Sequence, residues 1–263
     1  MLTRLRLHVI VVLALALGGG CAGVPGDAER EIIELPQVGS FSDNPPGSRI
    51  PHGWRVWTLS KFKKPTEYRL VDDFGRVVVK ASARASASGL VHPVKLDPAS
   101  YPLLSWRWKV DELIPSADNT RKHAEDSPVR VVVSFAGDSD SLPLEERVFF
   151  DQVRLLTGQQ LPYATLMYIW ENRAPKDSVI PNRHTSRIKM IVAESGRDKL
   201  GAWHAVTRNV VEDFKRAFNE PPGEITAVGI MTDTDNTGEY AHAYYGDILF
   251  QGEPRPRASS ATD

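Results

Sequence analysis

One cysteine, Cys21, stands in 263 residues, so no disulfide can form within the chain. Charge of either sign is not in excess, with 32 Lys and Arg against 33 Asp and Glu, so there is no electrostatic footprint for nucleic acid. No apolar run is long enough to span a bilayer as a helix, which takes about 20 residues. The longest, residues 9–17, is about half that. A Gly-x-Ser-x-Gly elbow, a His-Glu-x-x-His helix, a phosphate-cradling glycine loop and a Cys/His cluster are all missing. The commonest hydrolase, nucleotide and zinc chemistries therefore lack their signatures.

What is there begins with Arg4 and Arg6, the apolar run, and then Gly18-Gly19-Gly20-Cys21. This charged, apolar, small-residue order is that of a bacterial export signal. Cys21 directly after the glycines suits lipid attachment, although a lipoprotein signal usually has Leu three residues before the cysteine, where this chain has Gly18. The expectation is a lipoprotein-type signal over 1–21 and an exported protein, either an outer-membrane lipoprotein facing the periplasm or a periplasmic one. Residues 22–51, rich in Gly, Pro, Ser, Asp and Asn, read as a flexible tether, 52–252 as one domain, and 253–263 as a disordered tail.

Within the domain, short runs rich in Val, Ile, Tyr and Trp recur between Gly, Pro, Asp and Ser, which predicts an antiparallel β-sandwich or jelly roll. Strands are expected at 54–59, 68–72, 76–81, 89–95, 103–110, 129–136, 163–171, 187–193, 203–208, 225–232 and 240–250. Two short helices interrupt them. One, 144–157, has Glu145 and Glu146 in its first turn and stops at Gly158; the other, 209–218, is capped by Asn209 and Glu212 and ends at Pro221-Pro222-Gly223.

Alternation sorts the side chains of each strand. Leu104, Trp106, Trp108 and Val110 share one face and read as core; Ser105, Arg107 and Lys109 share the other. Arg130 and Arg187 likewise stand opposite the main apolar row of their strands. Three arginines on less apolar faces, with Trp170 and Tyr244 as neighbours, suit bidentate recognition of carboxylate or phosphate. The competing reading is a solvated sheet face whose arginines pair with Glu125, Asp126 or Glu171. The carboxylate-rich turn of Asp233, Asp235, Asn236, Thr237 and Gly238 is the leading site candidate, with Asp247 close behind it. Asp233, Asp235 and Thr237 match the opening of a calcium loop, but its twelfth place holds Tyr244 where glutamate is needed. The alternative is a turn that caps its own backbone. No cofactor is expected other than calcium. His123, His184, His204 and His242 are candidate bases beside Asp126, Asp213 or Asp233, and nothing in their spacing pairs them.

The runs Leu104-Ser-Trp-Arg-Trp108, Glu125-Asp-Ser-Pro-Val-Arg130, Thr232-Asp-Thr-Asp-Asn-Thr-Gly238 and Tyr245-Gly-Asp-Ile248 resemble those of the bacterial domain-of-unknown-function family 3047. The resemblance covers most of 54–250. It implies an exported protein with a β-sandwich of the galactose-binding, carbohydrate-binding-module kind, and it supplies no catalytic residue. Where the family motif reads Asp-Asp, this chain has Glu125-Asp126. The function expected is that of an envelope-anchored binding module, attached to a membrane through its N-terminal lipid. It would hold a saccharide or other polar, anionic envelope component between Arg107, Asp126, Arg130, Trp170, Arg187 and the acidic turn. Two alternatives stand beside it: a polysaccharide hydrolase or lyase using Asp126 or Asp233 with a histidine, and a structural lipoprotein that holds an envelope protein.

Overall fold

The computed structural model describes residues 38–58 and 62–252. The signal, Cys21, most of the tether and the tail lie outside them. Thirteen strands and two helices follow in chain order: β1 (Arg55–Trp57), β2 (Glu67–Asp73), β3 (Arg76–Arg84), β4 (Ala87–Leu96), β5 (Leu103–Val110), β6 (Ser127–Phe135), α1 (Leu144–Thr157), β7 (Ala164–Glu171), β8 (Val179–Pro181), β9 (Ile188–Ser195), β10 (His204–Asn209), α2 (Val210–Phe218), β11 (Ile225–Asp233), β12 (Tyr240–Tyr245) and β13 (Leu249–Gln251). They form a β-sandwich. One sheet has seven strands in the order β1-β4-β11-β6-β7-β9-β8, and the other runs β10-β5-β12-β3-β2 with β13 also on β5. No helix among the described residues is long and apolar enough to cross a membrane.

The core between the sheets is what strand alternation demands. Leu104, Trp106, Trp108 and Val110 of β5 are buried, with Trp106 5.0 Å from the Tyr168 ring and Trp108 6.3 Å from Trp170. The seven-stranded sheet is apolar on its outer face as well. Val132, Met167, Ile169, Met190 and Val192 form a second cluster there, and α1 follows its Glu145–Glu146 first turn with a left-handed Gly158 stop. None of the residues of α1 is buried, and Leu155 and Leu156 are among its exposed ones. Helix α2 starts where expected: the Asn209 side chain accepts from the N–H groups of Val211 and Glu212, both at 3.1 Å. Asn209→Ala is expected to lower stability by about 1 kcal/mol, read as a shifted denaturation midpoint with an unchanged slope.

Three expectations need correcting. The domain begins before residue 52, since Val38 and Phe41 are core residues and Phe41 packs 4.8 Å from the Trp54 ring. A single aromatic among Gly, Pro and Ser looks like linker by composition, yet here it plugs the end of the core. The sandwich is not wholly antiparallel, because β7 and β9 run parallel. The chain leaves β7 for the sheet edge as β8 and then returns antiparallel to it, inserting β9 between the two. Lastly, the strand expected over 240–250 breaks over residues 246–248 into β12 and β13.

Candidate functional site

The outer face of the seven-stranded sheet carries an open cleft of about 720 Å³. Cross-strand register builds its floor: one row runs Arg55, Val91, Gly229, Val132, Met167, and the next runs Ala227, Ser134, Thr165, Ile188. Gly229 keeps the floor low, since a Cβ there would stand 3.0 Å from the Leu90 carbonyl oxygen and 3.7 Å from Val132. Trp57 forms a wall. It pairs across the sheet with Gly89, where a Cβ would meet the Ile230 carbonyl oxygen at 2.6 Å and the Trp57 ring at 3.1 Å, so the indole can lie against the sheet only because residue 89 is glycine. Its Nε1–H donates to Gln159 at 3.0 Å, and the Gln159 amide donates to the Thr58 carbonyl at 2.8 Å. The stop of α1 at Gly158 thus delivers the residue that holds the aromatic wall. The loop continues over the cleft as Gln160, Leu161, Pro162 and Tyr163.

The lining is aromatic, amide, hydroxyl and aliphatic. Arg55 is its one charged side chain among the described residues, and no carboxylate or histidine faces it. The Ser134 and Thr165 hydroxyls make no hydrogen bond to another described residue; Ser134 is half-buried and Thr165 is buried on the cleft floor. Such a surface can stack a ring and exchange hydrogen bonds.

The residues expected to make an anionic groove are scattered. Arg130 is 2% exposed and sits beneath residues 111–126: its Nε donates to Asp233 Oδ1 at 2.8 Å, and a terminal nitrogen to Asp233 Oδ2 at 3.1 Å and to the Glu125 carbonyl at 2.9 Å. Arg187 lies at the other end of the same sheet, stacked on Tyr163 at 4.1 Å and on Phe218 at 5.0 Å, and pairs with Glu220 at 2.6 Å. Arg107 is on the outer face of the other sheet, over Trp203 at 4.5 Å. The Tyr244 ring lies 6.5 Å from that Trp203 ring, whereas Trp170 is fully buried and donates to the Gly196 carbonyl. One groove therefore does not contain all three arginines. Alternation tells which residues of a strand share a face but not which sheet that face belongs to, and here both faces of the seven-stranded sheet are apolar.

The acidic turn is knitted to the sheet. Asp126, fully buried, accepts from the N–H of Asn236 at 3.2 Å and from the N–H and hydroxyl of Thr237, both at 2.7 Å. Asp233 also accepts from the Ser127 N–H at 3.1 Å, and Asp235 pairs with Lys63. Ligand oxygens of Asp126, Asp233 and Asp235 lie within 4.8 Å of one another, so these three, rather than Asp233, Asp235 and Thr237, are the residues placed to share a cation. To do so they would have to give up bonds already made. Burial pushes the Asp233 carboxyl up to about 6 against the pull of Arg130, and nearby Asp126 adds to the rise. Asp247 accepts from the Ser42 N–H and hydroxyl at 2.9 and 2.7 Å. Among the described residues, none of His123, His184, His204 and His242 bonds to a carboxylate; His204 meets the Lys199 carbonyl and His242 the Ser82 hydroxyl. Trp57, Ser134, Thr165 and Gln159 escaped the sequence reading, and their one sequence signal was glycine inside the strands at 89 and 229.

Fold and cleft together define a β-sandwich with an open, nearly uncharged ligand-sized groove on one sheet. The chain belongs to the family described as "Protein of unknown function (DUF3047)", which matches residues 52–249. No curated protein matches the sequence. Solved structures that are similar include a family 11 carbohydrate-binding module of a Clostridium thermocellum cellulosomal cellulase, at 8% identity and TM-score 0.42 over 83% of this chain and 95% of that one. A module specific for non-crystalline cellulose shows 12% identity and TM-score 0.40 over 82% and 94%. The xyloglucanase domain of a type three effector from Sinorhizobium fredii shows 11% and 0.41 over 80% and 99%. Likeness at this level does not extend to ligand or activity.

Proposed function

We propose that this protein binds a neutral saccharide chain in the cleft of the seven-stranded sheet, and that Cys21 carries the domain on a membrane of the bacterial envelope. The observation behind the first part is the lining: a tryptophan wall, a serine and a threonine hydroxyl without a described partner, amides above, and Arg55 as the single charged side chain among the described residues. Its volume falls within the roughly 300–1,000 Å³ of small-ligand sites, and its openness along the sheet suits a chain that enters and leaves. An anionic ligand fits this cleft less well than a neutral one, because Arg130 and Arg187 are committed to Asp233 and Glu220. Binding rather than turnover is the reading this lining favours, with Asp126 and Asp233 buried under the turn.

The test is an array of neutral and acidic glycans probed with the domain from residue 38 to 252. The reading expects signal on at least one class of neutral chain, and it fails if neutral chains are blank. The anchor rests on the apolar run and glycines before Cys21. Cys21→Ser is expected to abolish incorporation of labelled fatty acid and to shift the protein from the membrane pellet to the soluble fraction. A full-length wild-type protein that takes up no label in a bacterial host would remove the anchor.

A further inference from the structure

The outer face of the opposite sheet has a different character. Register sets Arg69, Lys80, Tyr244 and Lys109 side by side across β2, β3, β12 and β5. Arg69 is held by Glu67. The Lys80 and Lys109 ammonium groups lie 5.6 and 4.3 Å from the centre of the Tyr244 ring, and Arg107 lies on Trp203. Trp203 is fixed in turn, for its indole N–H donates to Asp73 at 2.6 Å, and Asp73 also takes Lys109 at 3.1 Å. Arg107 has its place because residue 246 is glycine: a Cβ there would fall 2.4 Å from Arg107 Cγ and Nε. The aromatic rings thus orient the cations.

Lys109 is paired with Asp73, whereas the half-buried Arg107 guanidinium, over the Trp203 ring at 4.5 Å, makes no hydrogen bond or ion pair with any described residue. A guanidinium stacked on a ring and without other partners keeps its fork of N–H donors for a carboxylate, which it can take on two parallel bonds. Burial and the neighbouring Arg76 both press its pKa down, while Asp247 and Asp73 press it up without reaching it. On the same face the Tyr244 hydroxyl and the Lys80 ammonium, paired in register and without a hydrogen bond to any described residue, are left to meet hydroxyl groups.

We propose that this face is a second binding site, for an acidic saccharide, in which Arg107 takes the carboxylate of a uronic acid while Tyr244 and Lys80 meet its hydroxyls. It is independent of the neutral cleft, which lies on the far side of the sandwich.

The experiment is calorimetric titration of the domain with trimers of galacturonate, glucuronate and mannuronate, and with their neutral counterparts. At least one uronate is expected to bind, and Arg107→Lys, which keeps the charge but loses the fork, is expected to weaken it tenfold or more with an unchanged circular-dichroism spectrum. Trp57→Ala is expected to leave this binding alone, and the Trp203 indole signal is expected to move on titration. Failure of all three uronates to bind, affinity indifferent to Arg107→Lys, or displacement by inorganic phosphate at the trimer's own concentration would each overturn the proposal. Failure of neutral chains to bind would count against the cleft and not against this site.

Discussion

Asp233→Ala is expected to destabilise the domain by about 3–5 kcal/mol, the range for breaking a buried ion pair from one side. Arg130 is enclosed beneath the loop before β6, and without Asp233 its charge would keep only neutral partners, the Asn119 side chain, the Glu125 carbonyl and the Met190 sulfur. The Ser127 N–H would lose its acceptor too. For a domain of this size such a loss lowers the melting temperature by roughly 10 °C, at about 2–4 °C for each kcal/mol. Replacing both partners, Arg130→Leu with Asp233→Leu, is expected to recover much of the loss, because the penalty belongs to the unpaired charge. By contrast Arg154→Ala, which breaks an exposed pair with Asp151, is expected to change stability by less than about 0.5 kcal/mol.

Trp57→Ala is expected to weaken neutral saccharide binding by about thirtyfold, the loss of about 2 kcal/mol that follows removal of a central tryptophan anchor. The wall would go, and so would the Gln159 contact that positions the loop above it. Folding should suffer little, because the indole lies on the outer face of β1, an edge strand, and takes no part in the core between the sheets. Ser134→Ala and Thr165→Val each remove one hydroxyl and should cost about 1 kcal/mol of binding. Equal affinity of wild type and Trp57→Ala for the same chain would remove the cleft from the account.

How far the sequence carried these conclusions differs from element to element. β5 and α1 were legible to the residue, the first through strict alternation and the second through its acidic first turn and Gly158. β8 was not, because Val179-Ile-Pro181 is too short to show a period and its place depends on a partner strand folded beside it. The acidic turn was found but its role was not. Carboxylates at alternate positions look alike whether they hold a cation or cap backbone N–H groups, and only the approach of Asp126, over 100 residues earlier, separates the two. The arginines misled for a comparable reason: their faces were read correctly strand by strand, while the sheet to which each face belongs is a matter of long-range pairing. The cleft was the least legible, since its floor of Val91, Val132 and Met167 reads as core in any strand. Gly89 and Gly229, inside otherwise β-branched runs, were the marks of a place where something approaches the backbone closely.

The account is tested most directly by the indole N–H signals of the nitrogen-15 labelled domain, titrated with hexamers of the main neutral plant and bacterial glucans, xylans and mannans. Trp57 in the cleft and Trp203 on the opposite sheet report the two surfaces separately. The prediction is that at least one neutral chain moves the Trp57 signal in a saturable way and leaves Trp203 where it was. Movement of Trp203 with Trp57 unmoved, or no movement of Trp57 with any neutral chain, would contradict it.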